Sequence, residues 1–279
     1  MGEARRADVA LAADGLARSR TEAAALVKEG VVLVDGTPVR RPSQPVAPGA
    51  VLSLLDQGPR WVSRAAHKLV SALEAFPVPV AGRRALDAGA STGGFTQVLL
   101  ERGAARVAAV DVGHGQLVQQ LRADPRVLVR EGLNVRDLTA TDVEGSVDLV
   151  VSDLSFISLR LVLDALAGVC RPDADLLLMV KPQFEVGRAA LPRTGVVTDP
   201  RARCSAVEGV VAAALGTGLA ARGVARSGLP GQDGNVEFFL HLRAPAAPRD
   251  GGAVAGDADE DERRRRAAAL VAAADVDWS

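Results

Sequence analysis

The sequence predicts an α/β protein in which a Rossmann-like domain with seven strands follows a small N-terminal α+β domain. Between about residues 61 and 244, strand-like apolar runs alternate with helical ones, which is typical of βαβ units and a parallel sheet. The elements before residue 60 are shorter, and the sequence after residue 244 is rich in Pro, Gly, Ala and charged residues. We therefore expect domains at 1–60 and 61–244, a linker near 58–63, and a low-complexity, flexible tail at 245–279.

The composition excludes several classes of protein. The 279 residues are 48% hydrophobic and 24% charged, which is enough apolar sequence to build a buried core. The formal net charge is −1, so binding to a polyanion would depend on local basic patches. Cys170 and Cys204 lie far apart without metal-binding spacing, so neither a disulfide framework nor a metal site is expected.

No secretory or membrane segment is recognisable in the sequence. Residues 1–8 contain two arginines and two acids before any apolar run begins. The low-charge stretch 204–221 contains Glu208 and is rich in Ala and Gly, which predicts a buried helix of a soluble domain. We expect a cytoplasmic protein that does not enter a membrane.

Two short helices and a small sheet are predicted in the first domain. Residues 5–27 have helical apolar spacing that is broken at Gly15 and resumes after Ser19, a predicted N-cap, with Glu22 three residues later. The turn Asp35-Gly36 predicts a hairpin. Strand-like runs of alternating residues lie on either side of this turn, at 31–34 and 37–39. A third run, at 51–54, lies before the linker.

The second domain contains seven strand-like runs. They lie at 85–88, 107–112, 127–130, 147–153, 176–181, 223–226 and 236–242. In the tail that follows, four acids directly precede Arg263–Arg266 and would neutralise these arginines toward phosphates. We expect this tail to be a solvated, partly helical appendage without a function of its own.

A glycine-rich turn follows the first strand of the second domain. The segment Asp87–Thr96 has the pattern D-x-G-x-x-x-G-G, which allows a close approach of the backbone to a ligand at a helix N-terminus. Ser91 stands where a dinucleotide fingerprint requires glycine, which disfavours a hydride-transfer enzyme. Asp111 ends the second strand, where a carboxylate commonly accepts hydrogen bonds from ribose hydroxyls. Together these features resemble the cofactor site of S-adenosylmethionine (SAM) methyltransferases.

Four charged residues are expected at the same edge of this sheet. Asp153 and Lys181 end two of the predicted strands, whose carboxyl ends form the ligand edge of an open α/β sheet. Lys68 lies in a helix before the first strand, and Glu237 lies in the last strand-like run. Each residue alone could be a helix cap, a surface charge or a strand-edge residue. Together they would surround one pocket with two acids and two lysines.

With these motifs, the chain resembles the TlyA (hemolysin A) family of bacterial rRNA 2′-O-methyltransferases, which combine an FtsJ-like domain with an N-terminal RNA-binding domain of the ribosomal protein S-four type. The resemblance covers about residues 3–244 and leaves out the tail. It rests on long, ordered motifs, which are Val62–Lys68, Asp87–Thr96, Asp153–Ser158, Lys181–Arg188, Gly195–Pro200 and Gly234–Phe238.

The resemblance implies SAM as the cofactor and rRNA in ribosomal subunits as the partner, with cytidine 2′-hydroxyls in 16S rRNA, 23S rRNA or both as targets. No DNA partner is expected, and the oligomeric state is left open. The resemblance also assigns the catalytic set Lys68, Asp153, Lys181 and Glu237, with Lys181 nearest the hydroxyl. Lys181 could act as a base or could orient the hydroxyl as an ammonium group, and the sequence leaves both alternatives open.

The resemblance further implies which residues bind the cofactor and the RNA. The cofactor candidates line the first turns of the sheet and include a loop asparagine near the adenine; they are Asp87, Gly89, Ser91, Thr92, Gly93, Asp111 and Asn134. The RNA candidates are basic residues of the small domain and of the catalytic mouth; they are Arg5, Arg6, Arg18, Arg20, Lys28, Arg40, Arg41, Arg64 and Arg188.

Two alternative functions remain at this point. A non-catalytic RNA-binding assembly factor could keep the same fold, although the complete set of four charged residues counts against it. A membrane-active hemolysin, suggested by the family's older name, would need a spanning segment or a strongly amphipathic basic helix, and neither is recognisable here.

Overall fold

The chain divides into two compact units, Met1–Arg60 and Trp61–Ser279. The structure is a computed structural model and describes residues 4–28, 30–54, 61–231, 233–246 and 260–279. The first half of the expected linker, residues 58–60, lies outside the described residues.

The first unit contains the two helices and the hairpin that the sequence predicts. The predicted cap of the second helix is confirmed, because Ser19 Oγ accepts a hydrogen bond from the Glu22 backbone N–H at 3.2 Å. Three strands form a sheet of order β3-β2-β5, and β1 pairs with β4. The elements are β1 Arg5–Arg6, α1 Ala7–Ala13, α2 Arg20–Lys28, β2 Val32–Val34, β3 Thr37–Pro38, β4 Pro45–Val46 and β5 Leu52–Leu54.

One prediction for this unit is wrong. Arg5 and Arg6 were expected to begin a helix, but their backbone pairs antiparallel with Val46 and Pro45. The helix α1 begins only at Ala7, whose N–H donates to the Gln44 carbonyl at 2.8 Å. Helical spacing is a local signal and does not report this pairing with a distant segment.

The second unit is a seven-stranded sheet with helices on both faces, and all seven predicted strands are present. Its strand order is β11-β12-β10-β9-β6-β7-β8. The prediction of a wholly parallel sheet is wrong, because β12 inserts between β10 and β11 and runs antiparallel to both. The strands are β6 Arg84–Ala88, β7 Arg106–Asp111, β8 Val127–Glu131, β9 Val147–Ser152, β10 Cys170–Val180, β11 Ala220–Arg226 and β12 Phe238–Arg243. The helices are α3 Ala65–Ala75, α4 Gly94–Glu101, α5 Gln119–Arg122, α6 Leu163–Gly168, α7 Pro182–Glu185, α8 Pro200–Gly216 and α9 Glu260–Ala273, with short 3₁₀ turns at Val135–Asp137 and Leu159–Leu161.

Two buried clusters sandwich the sheet of the second unit. Successive residues of β10 point to opposite faces, so Leu176 and Leu178 join one cluster while Leu177 and Met179 join the other. The first cluster is covered by side chains of α6, α8 and α9, and the second by side chains of α3 and α4. A strand covered on both faces reads as a continuous apolar run, which is the pattern of Leu176–Val180.

The end of the expected tail is part of this core. Ala267 and Val271 of α9 are buried against the cluster that also holds side chains of α8. The Trp278 ring lies 4.7 Å from the Phe238 ring, and the Trp278 carbonyl accepts a hydrogen bond from Arg203 at 2.8 Å. Residues 260–279 therefore differ from the flexible appendage that their charged sequence suggested, because a few apolar positions suffice to attach the helix. Residues 247–259 lie outside the described part of the chain.

None of the described helices combines the length and the apolar composition needed to span a lipid bilayer.

Candidate active site

The sheet order brings the four charged candidates to one edge. Asp153 follows β9 and Lys181 follows β10, and these two strands are parallel neighbours. Glu237 precedes the antiparallel strand β12, in which Phe238 lies opposite Val180. Because β12 runs antiparallel to β10, it begins at the edge of the sheet where β10 ends, so Glu237 lies at the same edge as Lys181. Lys68 reaches this edge from the buried face of α3.

The four side chains form a chain of alternating charges. Lys68 Nζ lies 2.6 Å from Glu237 Oε2 and 3.8 Å from Asp153 Oδ2. Lys181 Nζ lies 2.7 Å from Asp153 Oδ1. The side chains of the lysines are less than 10% exposed and that of Glu237 only 2%. The cluster joins two basic and two acidic side chains, and pairing of this kind offsets the cost of burying charged groups.

Sequence reasoning missed a fifth polar group in this cluster. Ser155 Oγ accepts a hydrogen bond from Lys181 Nζ at 2.8 Å, and Ser155 is exposed on the loop after β9. The signal was present in the sequence, since Ser155 lies two residues after Asp153. A loop serine is too common to be singled out without the position of Lys181.

A solvent-open cavity lies between these charges and the glycine-rich turn. It is lined on one side by Asp153, Ser155 and Lys181 and on the other by the turn after β6 and the start of α3. Space at this turn is tight: a Cβ on Gly89 would lie 3.1 Å from the Asp153 carbonyl oxygen, and one on Gly94 would lie 3.1 Å from the Ala66 nitrogen. Only glycines leave this cradle open.

The backbone of the turn is arranged as expected for a ligand cradle. Gly93 adopts φ 103° at the N-cap position before α4, where no side chain caps the helix. Ser91 adopts φ 47°, a left-handed conformation that is uncommon for a residue other than glycine. Its N–H donates to Asp111 Oδ2 at 2.8 Å, and the Gly113 N–H donates to Asp111 Oδ1 at 2.7 Å. Asp111 thus ties the turn to the loop after β7, and each of its oxygens keeps lone-pair capacity for a ribose hydroxyl.

Asp87 forms the buried floor beneath this turn. It is fully buried, and its Oδ2 accepts a hydrogen bond from the Thr96 hydroxyl at 2.7 Å. Within the described residues Oδ1 has no hydrogen-bond partner. Burial, assisted by the negative charges of Asp153 and Asp111, raises the pKa of Asp87 to about 7. The contact with Thr96 ties the strand to α4 and so supports the turn, while binding of the cofactor by Asp87 stays a prediction.

Asn134 has a local partner. Its side-chain oxygen accepts a hydrogen bond from the Arg136 N–H at 3.1 Å and caps the 3₁₀ turn Val135–Asp137. A contact between Asn134 and the adenine stays a prediction, and Thr92 lines the cavity as expected.

Comparisons with known proteins agree with this geometry. A family model described as FtsJ-like methyltransferase matches residues 61–244, and one described as S4 domain matches residues 5–52. A 16S/23S rRNA (cytidine-2′-O)-methyltransferase, TlyA, from Mycobacterium tuberculosis is 54% identical over 244 residues, which are 87% of this chain and 91% of that protein. The chain belongs to the TlyA family of FtsJ-like methyltransferases. The resemblance found in the sequence is thereby confirmed.

Two further similarities support the same family. Hemolysin A of Brachyspira hyodysenteriae is 32% identical over 238 residues, which cover 85% of this chain and 99% of that protein. The solved structure of a Streptococcus thermophilus protein described as a hemolysin is 36% identical, with a TM-score of 0.67 and coverage of 95% of this chain and 96% of that one. Similarity along almost the whole length of both chains shows that TlyA-family proteins share this two-part organisation.

In this TlyA-family chain, four of the predicted RNA-binding arginines have acidic partners within the first unit. The Asp8 carboxylate accepts hydrogen bonds from Arg6 at 3.0 Å and from Arg20 at 3.3 Å. These arginines, Arg6 above all, lower the pKa of Asp8 to about 2 although its burial acts in the opposite direction. Arg5 pairs with Asp14 at 3.2 Å and Arg18 with Glu22 at 3.2 Å. These pairs fix the directions of the guanidinium groups and reduce the net charge they present.

The remaining basic candidates are exposed. Lys28, Arg40 and Arg41 lie at the end of α2 and in the loop after β3. In the second unit, Arg64 donates to the Pro230 carbonyl at 2.7 Å, which leaves its other N–H groups available. Arg188 is exposed beyond α7, a few residues after Lys181. Binding of RNA by any of these residues stays a prediction.

An aromatic pair beside the cavity was not predicted. Phe156 follows Ser155, is 92% exposed and adopts φ 64°. Its ring lies 5.4 Å from that of Phe184, three residues after Lys181. A large exposed ring in a left-handed conformation carries a steric cost, which folds tolerate mainly at functional sites. Only 3% of the residues are aromatic, so a phenylalanine in the motif that begins with Asp153 was the one feature of the sequence that could have indicated this exposed ring.

Proposed function

We propose that the chain transfers a methyl group from SAM to the 2′-hydroxyl of a cytidine in rRNA, within 16S rRNA, 23S rRNA or both. The observation that carries this proposal is the buried cluster of Lys68, Asp153, Lys181 and Glu237 at the edge of a glycine-lined cavity. The M. tuberculosis relative, which shares most of its length with this chain, is named for the same reaction.

The residues around the cavity fit SAM. Gly89, Ser91 and Gly93 all adopt positive φ in this turn, a Cβ on either glycine would crowd neighbouring atoms, and the three residues would hold the methionine part. Asp111 would accept hydrogen bonds from the ribose hydroxyls, and the absence of a phosphate-binding fingerprint agrees with a cofactor that carries no phosphate. When bound, SAM supplies a methyl group made electrophilic by its positive sulfonium sulfur.

The charged cluster would prepare the nucleophile. The 2′-oxygen forms a bond to the methyl carbon while the carbon–sulfur bond breaks, and the hydroxyl proton must leave the oxygen. We assign Lys181 Nζ as the group that holds this hydroxyl, either accepting its proton as an amine or orienting it as an ammonium. Asp153 holds Lys181, and the buried Lys68–Glu237 pair holds Asp153 in place from the other side.

The first unit and the aromatic pair would hold the RNA. The S4-type unit presents Lys28, Arg40 and Arg41 to solvent, together with arginines whose directions are fixed by acids. Such contacts to phosphates position the RNA without reading its sequence. The exposed Phe156 ring next to the cavity is a surface on which a base can stack once it leaves its helix. A protein acting on ribosomal subunits would work in the cytoplasm.

The proposal is tested by incubating the purified chain and radiolabelled SAM with separate small and large ribosomal subunits from a strain that lacks the enzyme. Lys181→Ala and Asp153→Ala proteins are assayed in parallel, with circular dichroism and SAM binding as controls for folding. We expect label at a 2′-hydroxyl with the wild-type protein and no turnover with either variant.

Each other outcome has a definite meaning. Label from the wild type on one subunit alone narrows the substrate to that subunit. Robust methylation by either variant overturns the assignment of the catalytic cluster. A wild-type protein that binds SAM and rRNA but methylates neither subunit would support the non-catalytic assembly factor instead.

A further inference from the structure

Ser155 occupies a position that the proposed reaction leaves unexplained. Its hydroxyl oxygen lies 2.8 Å from Lys181 Nζ and accepts a hydrogen bond from it. Ser155 itself is exposed and lines the cavity together with Asp153 and Lys181. The residue therefore contributes little to the buried core, and its one described side-chain contact is with the lysine expected to hold the reacting hydroxyl.

We propose that Ser155 is a positioning residue that directs Lys181 Nζ toward the reacting 2′-oxygen; this inference rests on the proposed function. A lysine nitrogen has three positions besides its bond to Cε. Ser155 Oγ accepts the hydrogen bond of one of them at 2.8 Å, and Asp153 Oδ1 lies 2.7 Å from the nitrogen as an ion-pair partner without hydrogen-bond geometry. A further position of the nitrogen is left for the substrate hydroxyl. If Lys181 is an amine, this position holds the lone pair that accepts the proton; if Lys181 is an ammonium, it holds an N–H that donates to the hydroxyl oxygen.

Asp153 alone would not set this direction. A terminal ammonium turns freely about the Cδ–Cε and Cε–Nζ bonds, and a single acceptor leaves one rotation open. Asp153 and Ser155 both follow β9, two residues apart, and Ser155 supplies the directional hydrogen bond that the Asp153 ion pair lacks. A hydrogen bond added to the ion pair restricts the orientation of the group, and small errors in such an orientation are costly for transfer reactions.

The backbone after Ser155 supports this role. Phe156 adopts φ 64°, so the chain reverses immediately after the serine. Ser158, three residues after Ser155, has a different hydrogen-bond partner: its hydroxyl donates to Glu185 Oε2 at 2.6 Å. The two serines thus hold different parts of the segment that follows β10: Ser155 holds Lys181 and Ser158 holds the end of α7. Ser158 is the matched control for the loss of a hydroxyl in this loop.

The test compares Ser155→Ala, Ser155→Thr and Ser158→Ala with the wild type in the ribosomal methylation assay. For Ser155→Ala we expect kcat to fall about 10- to 100-fold, while SAM affinity and the KM for the subunit stay within about 3-fold of wild type. Ser155→Thr keeps the hydroxyl at an exposed site and should recover most of kcat. Ser158→Ala should lower thermal stability but leave kcat near wild type.

The pH dependence of kcat distinguishes a change at the charged cluster from a general loss of stability, because a loss of stability would lower kcat without shifting the pH profile. The charged groups around Lys181 are Asp153 and, beyond it, Lys68 and Glu237, and all remain in the Ser155→Ala variant. Removing an acceptor takes a partner away from the ammonium form, so the inflection assigned to this cluster should move to lower pH. The direction is the same whether the amine or the ammonium is the active form.

The outcomes separate this inference from the proposed function. A wild-type protein that is active, together with a Ser155→Ala variant of unchanged kcat and pH profile, overturns the role of Ser155 alone. That role is also refuted if Ser155→Thr is as impaired as Ser155→Ala, or if Ser158→Ala shifts the profile equally. An inactive wild-type protein that still binds SAM overturns the proposed function instead.

Discussion

The buried carboxyl group of Asp87 should make the stability of the second unit depend on pH. Its pKa rises from 3.8 to about 7, chiefly because burial penalises the charged form. Between these two values the folded chain retains a proton that the unfolded chain has lost, so the free energy of unfolding falls as pH rises. Each pKa unit corresponds to about 1.4 kcal/mol, which amounts to about 4 kcal/mol over the full range.

The change Asp87→Asn removes this titration and keeps an acceptor for the Thr96 hydroxyl. From pH 5 to pH 8, the wild type should lose about 2.5 kcal/mol of unfolding free energy relative to the variant, because most of the titration falls within this window. The free energy of unfolding is measured by urea denaturation followed by tryptophan fluorescence. Trp61 and Trp278 both belong to the unit Trp61–Ser279, so the signal reports the unfolding of the unit that contains Asp87.

The comparison between the two proteins cancels the other groups that titrate in the same range. Asp137→Asn, at an exposed position of the same unit, is the matched control and should follow the wild type at every pH. If the difference between wild type and Asp87→Asn stays constant from pH 5 to pH 8, Asp87 is already ionised in the folded protein. The reasoning from its burial would then be wrong.

Two further predictions concern the C-terminal segment and the exposed ring. Trp278→Ala should lower the unfolding free energy of the second unit by about 3 kcal/mol, because the ring packs on the buried Phe238. An unchanged thermal denaturation midpoint would show that this segment does not pack on the core in solution. Phe156→Ala should raise the KM for the ribosomal subunit by about 10-fold or more without changing SAM affinity, as expected for loss of a base-stacking surface. Equal activity of Phe156→Ala and wild type in the methylation assay would reject that role.

Much of the architecture follows from local patterns in the chain. The period of apolar residues predicts most of the strands and helices, and Ser19 and Gly36 mark element boundaries that backbone chemistry favours. The glycine-rich turn after β6 could also be predicted, because positive φ and a close backbone approach are properties of the residues themselves. These patterns depend on residues close together in the chain, so they can be recognised in the sequence without knowledge of the fold.

Contacts between distant residues required the tertiary structure. Lys68 and Glu237 are 169 residues apart, and their 2.6 Å contact depends on β12 entering the sheet antiparallel to β10. The contact of Arg20 with Asp8 likewise comes from the packing of α1 and α2 in the first unit. The attachment of α9 depends on two buried positions, Ala267 and Val271, within a strongly charged segment.

Local patterns predicted most of the elements and the glycine-lined turn, and together with the family resemblance they singled out the four charged residues of the cluster. Which oxygen faces each lysine nitrogen, including the contact of Ser155 with Lys181, depends on the tertiary structure. The two kinds of information differ in range: conformational preferences are set by neighbours in the chain, whereas the electrostatic and hydrogen-bond partners of a buried charge are set by strand order and register.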